Sequence, residues 1–154
     1  MFLLRLAILL IGWCWALAAY GEDASVVFNH VSGAPTQMDE WVHQHFGKRY
    51  KVVDFTDKQH QWIHPRGVSG FGPHPPVFLD NRCVSGFALV VYVISVDGRV
   101  MDAHAARSTT EFLASQAVRS MSERRFIPGH LDGKPVCSIA ATNIQFRCPE
   151  TSAK

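Results

Sequence analysis

The chain has 154 residues, 47% of them hydrophobic and 18% charged, and its 15 basic and 13 acidic residues leave a formal charge of +2. This balance excludes the basic stripe of a nucleic-acid binder and the charge-rich, apolar-poor composition of a disordered chain. It suits one domain with a modest core.

The first element is a leader. Arg5 precedes an uncharged apolar run over residues 6–20, the pattern of a secretory signal peptide over residues 1–21, with cleavage after Ala18 or Gly21. Retained, the same run is a short membrane anchor, although it falls below the ~20 residues of a typical spanning helix. Export would place Cys83, Cys137 and Cys148 in an oxidising space. There two of them can pair and leave one over, or all three can remain buried thiols.

Residues 22–72 form an N-terminal region with a short amphipathic helix. Met38, Trp41, Val42, His45 and Phe46 recur at helical spacing, with Thr36 as N-cap and Gly47 as stop. The stretch YKVVDF that follows reads as a strand without an evident neighbour. The segment PRGVSGFGPHPP, residues 65–76, holds three glycines and four prolines. It excludes a helix or central strand and reads as a linker.

The signals sharpen over residues 73–149. Asp97-Gly98 between two apolar runs predicts a hairpin with a two-residue type I′ turn. Its register pairs Val96 with Arg99, Ile94 with Met101, Tyr92 with Ala103 and Val90 with Ala105 on an apolar face. The other face pairs Ser95 with Val100, Val93 with Asp102 and Val91 with His104, and is expected nearer to water. Ser108 and Glu111 have capping-box spacing. The helix they start carries Leu113, Ala114, Ala117, Val118 and Met121 on one stripe, able to cover the hairpin's apolar face. Pro128, Gly129, Gly133 and Pro135 break the chain. A third strand then alternates Thr142, Ile144 and Phe146 with Asn143, Gln145 and Arg147. The order strand, strand, helix, strand predicts an α+β fold: a three-stranded antiparallel sheet with one helix packed on one face.

Eight histidines raise a metal-binding alternative, with HQH at residues 43–45 and HQWIH at residues 60–64. The second pair has the i, i+4 spacing that sets two imidazoles on one helical face. Pro65 follows directly, however, and no Glu follows His60 as in a metalloprotease motif. Ser85, Ser95 and Ser108 lack the local context of a nucleophile, so no catalytic residue, metal or cofactor is expected. His104 and Asp102 are expected to form a polar pair on the open face.

Taken together, Gly86, the hairpin VDGRV, the helix EFLASQAVRSMSERRF, the FIP that ends it, DGKPV and the strand NIQF form an ordered set. Over roughly residues 75–148 this set resembles the C-terminal domain of TonB-type energy transducers. The resemblance implies a periplasmic binding domain rather than an enzyme, with strand order two, one, three and the third strand as a free edge. That edge would receive an extended peptide of an outer-membrane transporter by strand addition. The site residues so implied are Ala141, Asn143, Ile144, Gln145 and Phe146. Inner-membrane motor proteins and a second copy of the chain are further implied partners, and nucleic acid is not. The alternative is a free-standing periplasmic module of the same fold serving another envelope protein. In the implied strand order Cys83 and Cys148 meet at one end of the sheet and Cys137 lies at the other. A Cys83–Cys148 bridge with Cys137 unpaired is therefore expected.

Overall fold

The computed structural model describes residues 25–29, 36–55, 60–68 and 75–149. The leader over residues 1–21 and residues 69–74 of the expected linker lie outside them. In chain order the elements are β1 (Ser25–Asn29), α1 (Thr36–Phe46), β2 (Lys51–Phe55), β3 (Trp62–Ile63), β4 (Arg66–Gly67), β5 (Val77–Leu79) and β6 (Arg82–Val84). They continue with β7 (Gly86–Ile94), β8 (Val100–Ser108), α2 (Glu111–Ser122), β9 (Phe126–Ile127), β10 (Gly129–Leu131), β11 (Lys134–Val136) and β12 (Ser138–Phe146).

The expected antiparallel trio is present as β8-β7-β12, but it is part of a five-stranded mixed sheet in the order β2-β1-β12-β7-β8. β1 runs parallel to both β2 and β12. The three-stranded description is thus corrected, and β1, α1 and β2 form a strand-helix-strand unit that extends the sheet. The reason is visible in β7. Its run GFALVVYVI buries Val91 and Val93 as completely as Val90 and Ile94, and a strand apolar on both faces needs a cover on each. α2 covers one face through Leu113, Ala117 and Met121, against Ala88, Val90, Tyr92 and Ile94. α1 covers the other through Met38, Val42 and Phe46, with Val26 and Phe28 of β1, against Val91, Val93 and Ile139. The face expected nearer to water is therefore a second core.

The hairpin register agrees with expectation at Val90↔Ala105, Val91↔His104, Tyr92↔Ala103 and Val93↔Asp102. It departs at the turn, where a shift places Ile94 opposite Val100. The turn is longer than two residues. Gly98 donates to the Ser95 carbonyl and Ser95 to the Arg99 carbonyl, each at 2.9 Å, and only Gly98 of the turn has positive φ, +79°. This is a three-residue loop ending in a left-handed glycine and bulge. The Ser95 hydroxyl bonds Asp97 and holds its carboxyl below the usual range, with Arg99 adding to the effect. The bulge turns Met101 outward, where it is 42% exposed.

The helix start also differs. β8 runs through Ser108, and Thr109 extends the pairing by donating to the Phe87 carbonyl at 2.9 Å. Thr110, not Ser108, then caps α2, its side chain accepting from the Leu113 amide at 3.2 Å. Ahead of β7, the β5–β6 hairpin turns on Asp80 and Asn81, both at positive φ, the pair of conformations a type I′ turn requires. A Cys83–Cys148 bond ties that hairpin to the end of β12 with Cα atoms 5.8 Å apart, and Cys137 is a buried thiol.

Candidate functional site

β12 is paired along its whole length on one side, from Ser138 opposite Ile94 to Phe146 opposite Gly86. On its other side β1 reaches only Val27↔Ser138 and Phe28↔Ile139. Beyond that point no described strand pairs with this outer side of residues 141–146. The direction of the unpaired groups follows from one bond. The Val27 amide donates to the Cys137 carbonyl at 2.9 Å, so the odd-numbered residues of this strand aim their backbone groups away from β7. Ala141, Asn143 and Gln145 continue that series, and their side chains are exposed. Ile144 and Phe146 lie on the other parity with side chains buried in the α2-side core. The five residues of the sequence-based site thus divide into three whose backbones face outward and two that hold the strand down.

Edge strands are ordinarily blunted by charge or proline. The outer strand β2 carries Lys51 and Asp54, and β8 carries Asp102, His104 and Arg107. Residues 138–146 contain neither a charged residue nor a proline. Arg147 follows at the end of the strand, where the Cys148 amide donates to Ser85 Oγ at 3.3 Å.

At the head of the open stretch lies a cavity of about 230 Å³, lined by Trp62, His64, Tyr92, Phe126, Ala140 and Thr142 among others. Its wall is the strap of residues 60–68. β3 pairs with β10, β4 pairs with β9, and the His60 ring bonds Asp132 at 2.6 Å. The Gln61 amide donates to the other Asp132 oxygen at 2.9 Å, and these bonds hold the Asp132 carboxyl below the usual range. Trp62 closes over Gly129, where an added Cβ would come within 2.8 Å of the indole. On the floor, the Tyr92 and Thr142 hydroxyl oxygens lie 2.8 Å apart. Burial raises the Tyr92 phenol above its ordinary value, against the opposing pull of that hydrogen bond. Sequence reading missed this cavity. The one signal for it, an aromatic between two histidines in HQWIH, was read as a possible helical metal pair.

That helical pair does not form. His60 lies at a bend ahead of β3 and His64 between β3 and β4, one on Asp132 and the other accepting from Trp62 Nε1 at 3.1 Å. In α1, His45 stacks on Trp41 with centroids 3.9 Å apart. His104 does pair with Asp102, at 2.8 Å, but Arg49 from beyond α1 joins them at 3.0 Å, on a face that α1 covers. Among the described residues no group of three or more His, Cys, Asp or Glu is placed to hold a metal ion, and no helix is long and apolar enough to cross a membrane.

Among solved structures, the solution NMR structure of Pseudomonas aeruginosa TonB CTD is similar at 24% identity, over 62% of this chain and 93% of that one, with a TM-score of 0.39. No family model and no curated protein matches the chain.

Proposed function

We propose that the chain is an exported, TonB-like protein-binding domain whose open half-edge, residues 141–146, takes up an extended peptide of an outer-membrane transporter by strand addition. The observation that carries this reading is the uncharged, proline-free stretch of β12 whose outward backbone groups meet no described strand. Strand addition needs such a row of unpaired donors and acceptors for affinity, with alternate side chains for selectivity. The ordered motifs of residues 75–148 support the same reading, and the Cys83–Cys148 bond suits an oxidising compartment. Ala141, Asn143 and Gln145 supply the ladder, while Ile144 and Phe146 keep the strand rigid from beneath.

The test is Asn143→Pro. A proline is tolerated where the amide faces away from its sheet, so the fold is expected to persist while the outward donor disappears. Periplasm-facing peptides of outer-membrane transporters should shift the amides of residues 141–146 in the parent protein and leave the variant unchanged. Shifts confined to α2 would refute this mode of binding.

A further inference from the structure

We infer that the cavity at the head of the open edge is a specificity pocket for an aromatic side chain of the added strand, and that this strand is acidic around it. The inference rests on the strand-addition reading above and names what that strand must carry.

The geometry links the two sites. Ala140 and Thr142 line the cavity and belong to the parity of β12 that faces α2, while Ala141 between them turns its backbone outward. A residue added opposite Thr142 sends its side chain to the same face, and there the cavity opens. An occupant reaching it along the edge is itself a polypeptide, because backbone donors and acceptors run on from the cavity through Asn143 and Gln145.

Size and lining define the side chain. A volume of about 230 Å³ is below the ~300–1,000 Å³ of ordinary small-molecule sites. It exceeds the ~150 Å³ of an apolar cavity known to accept benzene. Trp62, Tyr92 and Phe126 contribute rings, with Tyr92 and Phe126 already tilted against each other at 5.3 Å, and a further ring completes such a cluster better than an aliphatic chain. Charge defines the flanks. Arg66 beside Gly67, Arg125 beside Phe126 and Arg147 at the end of β12 are exposed, and no ion pair occupies them among the described residues. No acidic residue lies within residues 60–68 or 138–149, and Asp132, the carboxylate bonded to the strap, is engaged by His60 and the Gln61 amide. Carboxylates on the incoming strand are therefore favoured by the basic groups.

The experiment uses the full chain and two acidic eight-residue peptides that differ only by Phe or Ala at one central position, with a lysine-flanked Phe peptide as third probe. The acidic Phe peptide should bind about 10- to 100-fold more tightly than its Ala partner, the range for burying one such side chain. It should lose affinity as salt rises, and the lysine-flanked peptide should bind more weakly. Ala140→Phe fills the cavity and Trp62→Ala removes its wall; each should erase the Phe over Ala preference. Toluene in the buffer should shift the Trp62 indole and the amides of residues 140–142 in the parent and not in Ala140→Phe.

Equal affinity for the Phe and Ala peptides, both abolished by Asn143→Pro, would overturn the pocket and leave strand addition standing. Equal affinity for the acidic and lysine-flanked peptides would overturn the acidic requirement. Toluene shifts without binding of any peptide would overturn the pocket and the strand reading together, assigning the cavity to a free apolar molecule.

Discussion

The two faces of the central sheet are built by different means. The α2 face is assembled from one contiguous stretch, residues 77–146, closed by the Cys83–Cys148 bond. The α1 face brings Val26, Phe28, Val42 and Phe46 from the far end of the sequence onto Val91, Val93 and Ile139, with no disulfide of its own among the described residues. A single strand, β7, serves both, one parity to each helix. A contiguous, bridged layer is expected to unfold only globally, whereas a layer docked by packing can open by itself. The same contrast falls on β12, whose first residues are covered by the docked unit while the rest stay open.

The comparison is broken most directly at Ala117, fully buried between α2 and the sheet. Ala117→Asp places a carboxylate there without a partner and should cost about 5 kcal/mol, unfolding both faces. An unchanged melting temperature would show that the α2 stripe is not the base of the fold. Cys148→Ser opens a loop with a sequence separation of 65 residues; in the chain-entropy model the loss is about 4 kcal/mol, and β12 and the β5–β6 hairpin should lose exchange protection together. Peptide mapping without reductant checks the starting point, since a free Cys83 or Cys148 in protein taken from an oxidising compartment would contradict the pairing.

Phe46→Ala acts on the other face at a cost of about 3 kcal/mol. Hydrogen exchange should then rise in β1, α1 and β2 while α2 keeps its protection. Equal loss in both helices would mean that the two faces form one cooperative unit. The smallest effect concerns the strap. Asp132 has a lowered carboxyl pKa in the fold because the Gln61 amide and the His60 ring bond it, so its contribution is present above the ordinary carboxylate value and is lost as pH falls through the lower folded one. The Gln61 amide resonance, which reports its bond to Asp132, should move as pH falls below the ordinary carboxylate range. Asp132→Asn should remove that acid transition, and a transition that survives in the variant would place its origin elsewhere.

Much of the α2 half was legible because its signals are local. Val90, Tyr92 and Ile94 alternate, Leu113, Ala117 and Met121 repeat at helical spacing, and Ile144 and Phe146 share a parity, so each element announces its buried face. The α1 half was legible as pieces only. A helix over residues 36–46 and a strand at YKVVDF were readable, but neither says which strand it joins, and SVVFN is too short to declare a partner. Val91 and Val93 carried the missing information, since apolar residues on the second face of β7 require a second cover.

The candidate site shows the same division. Local alternation on β12 was enough to separate the buried Ile144 and Phe146 from the outward series Ala141, Asn143 and Gln145, because side-chain direction in a strand is set by parity alone. How far that edge is open was decided by where β1 ends. The cavity beside it arises only when Trp62, some thirty residues before Tyr92 in sequence, is laid over Gly129 by the pairing of β3 with β10. Periodicity, parity and turn chemistry are properties of neighbouring residues, so the sequence by itself determined the hairpin β7-β8, the helix α2 and the strand β12, while their order β8-β7-β12 was what the resemblance implied. Which distant strand extends the sheet, and what gathers at its edge, depends on apolar surfaces that meet only once the chain has folded, and only the tertiary structure decided it.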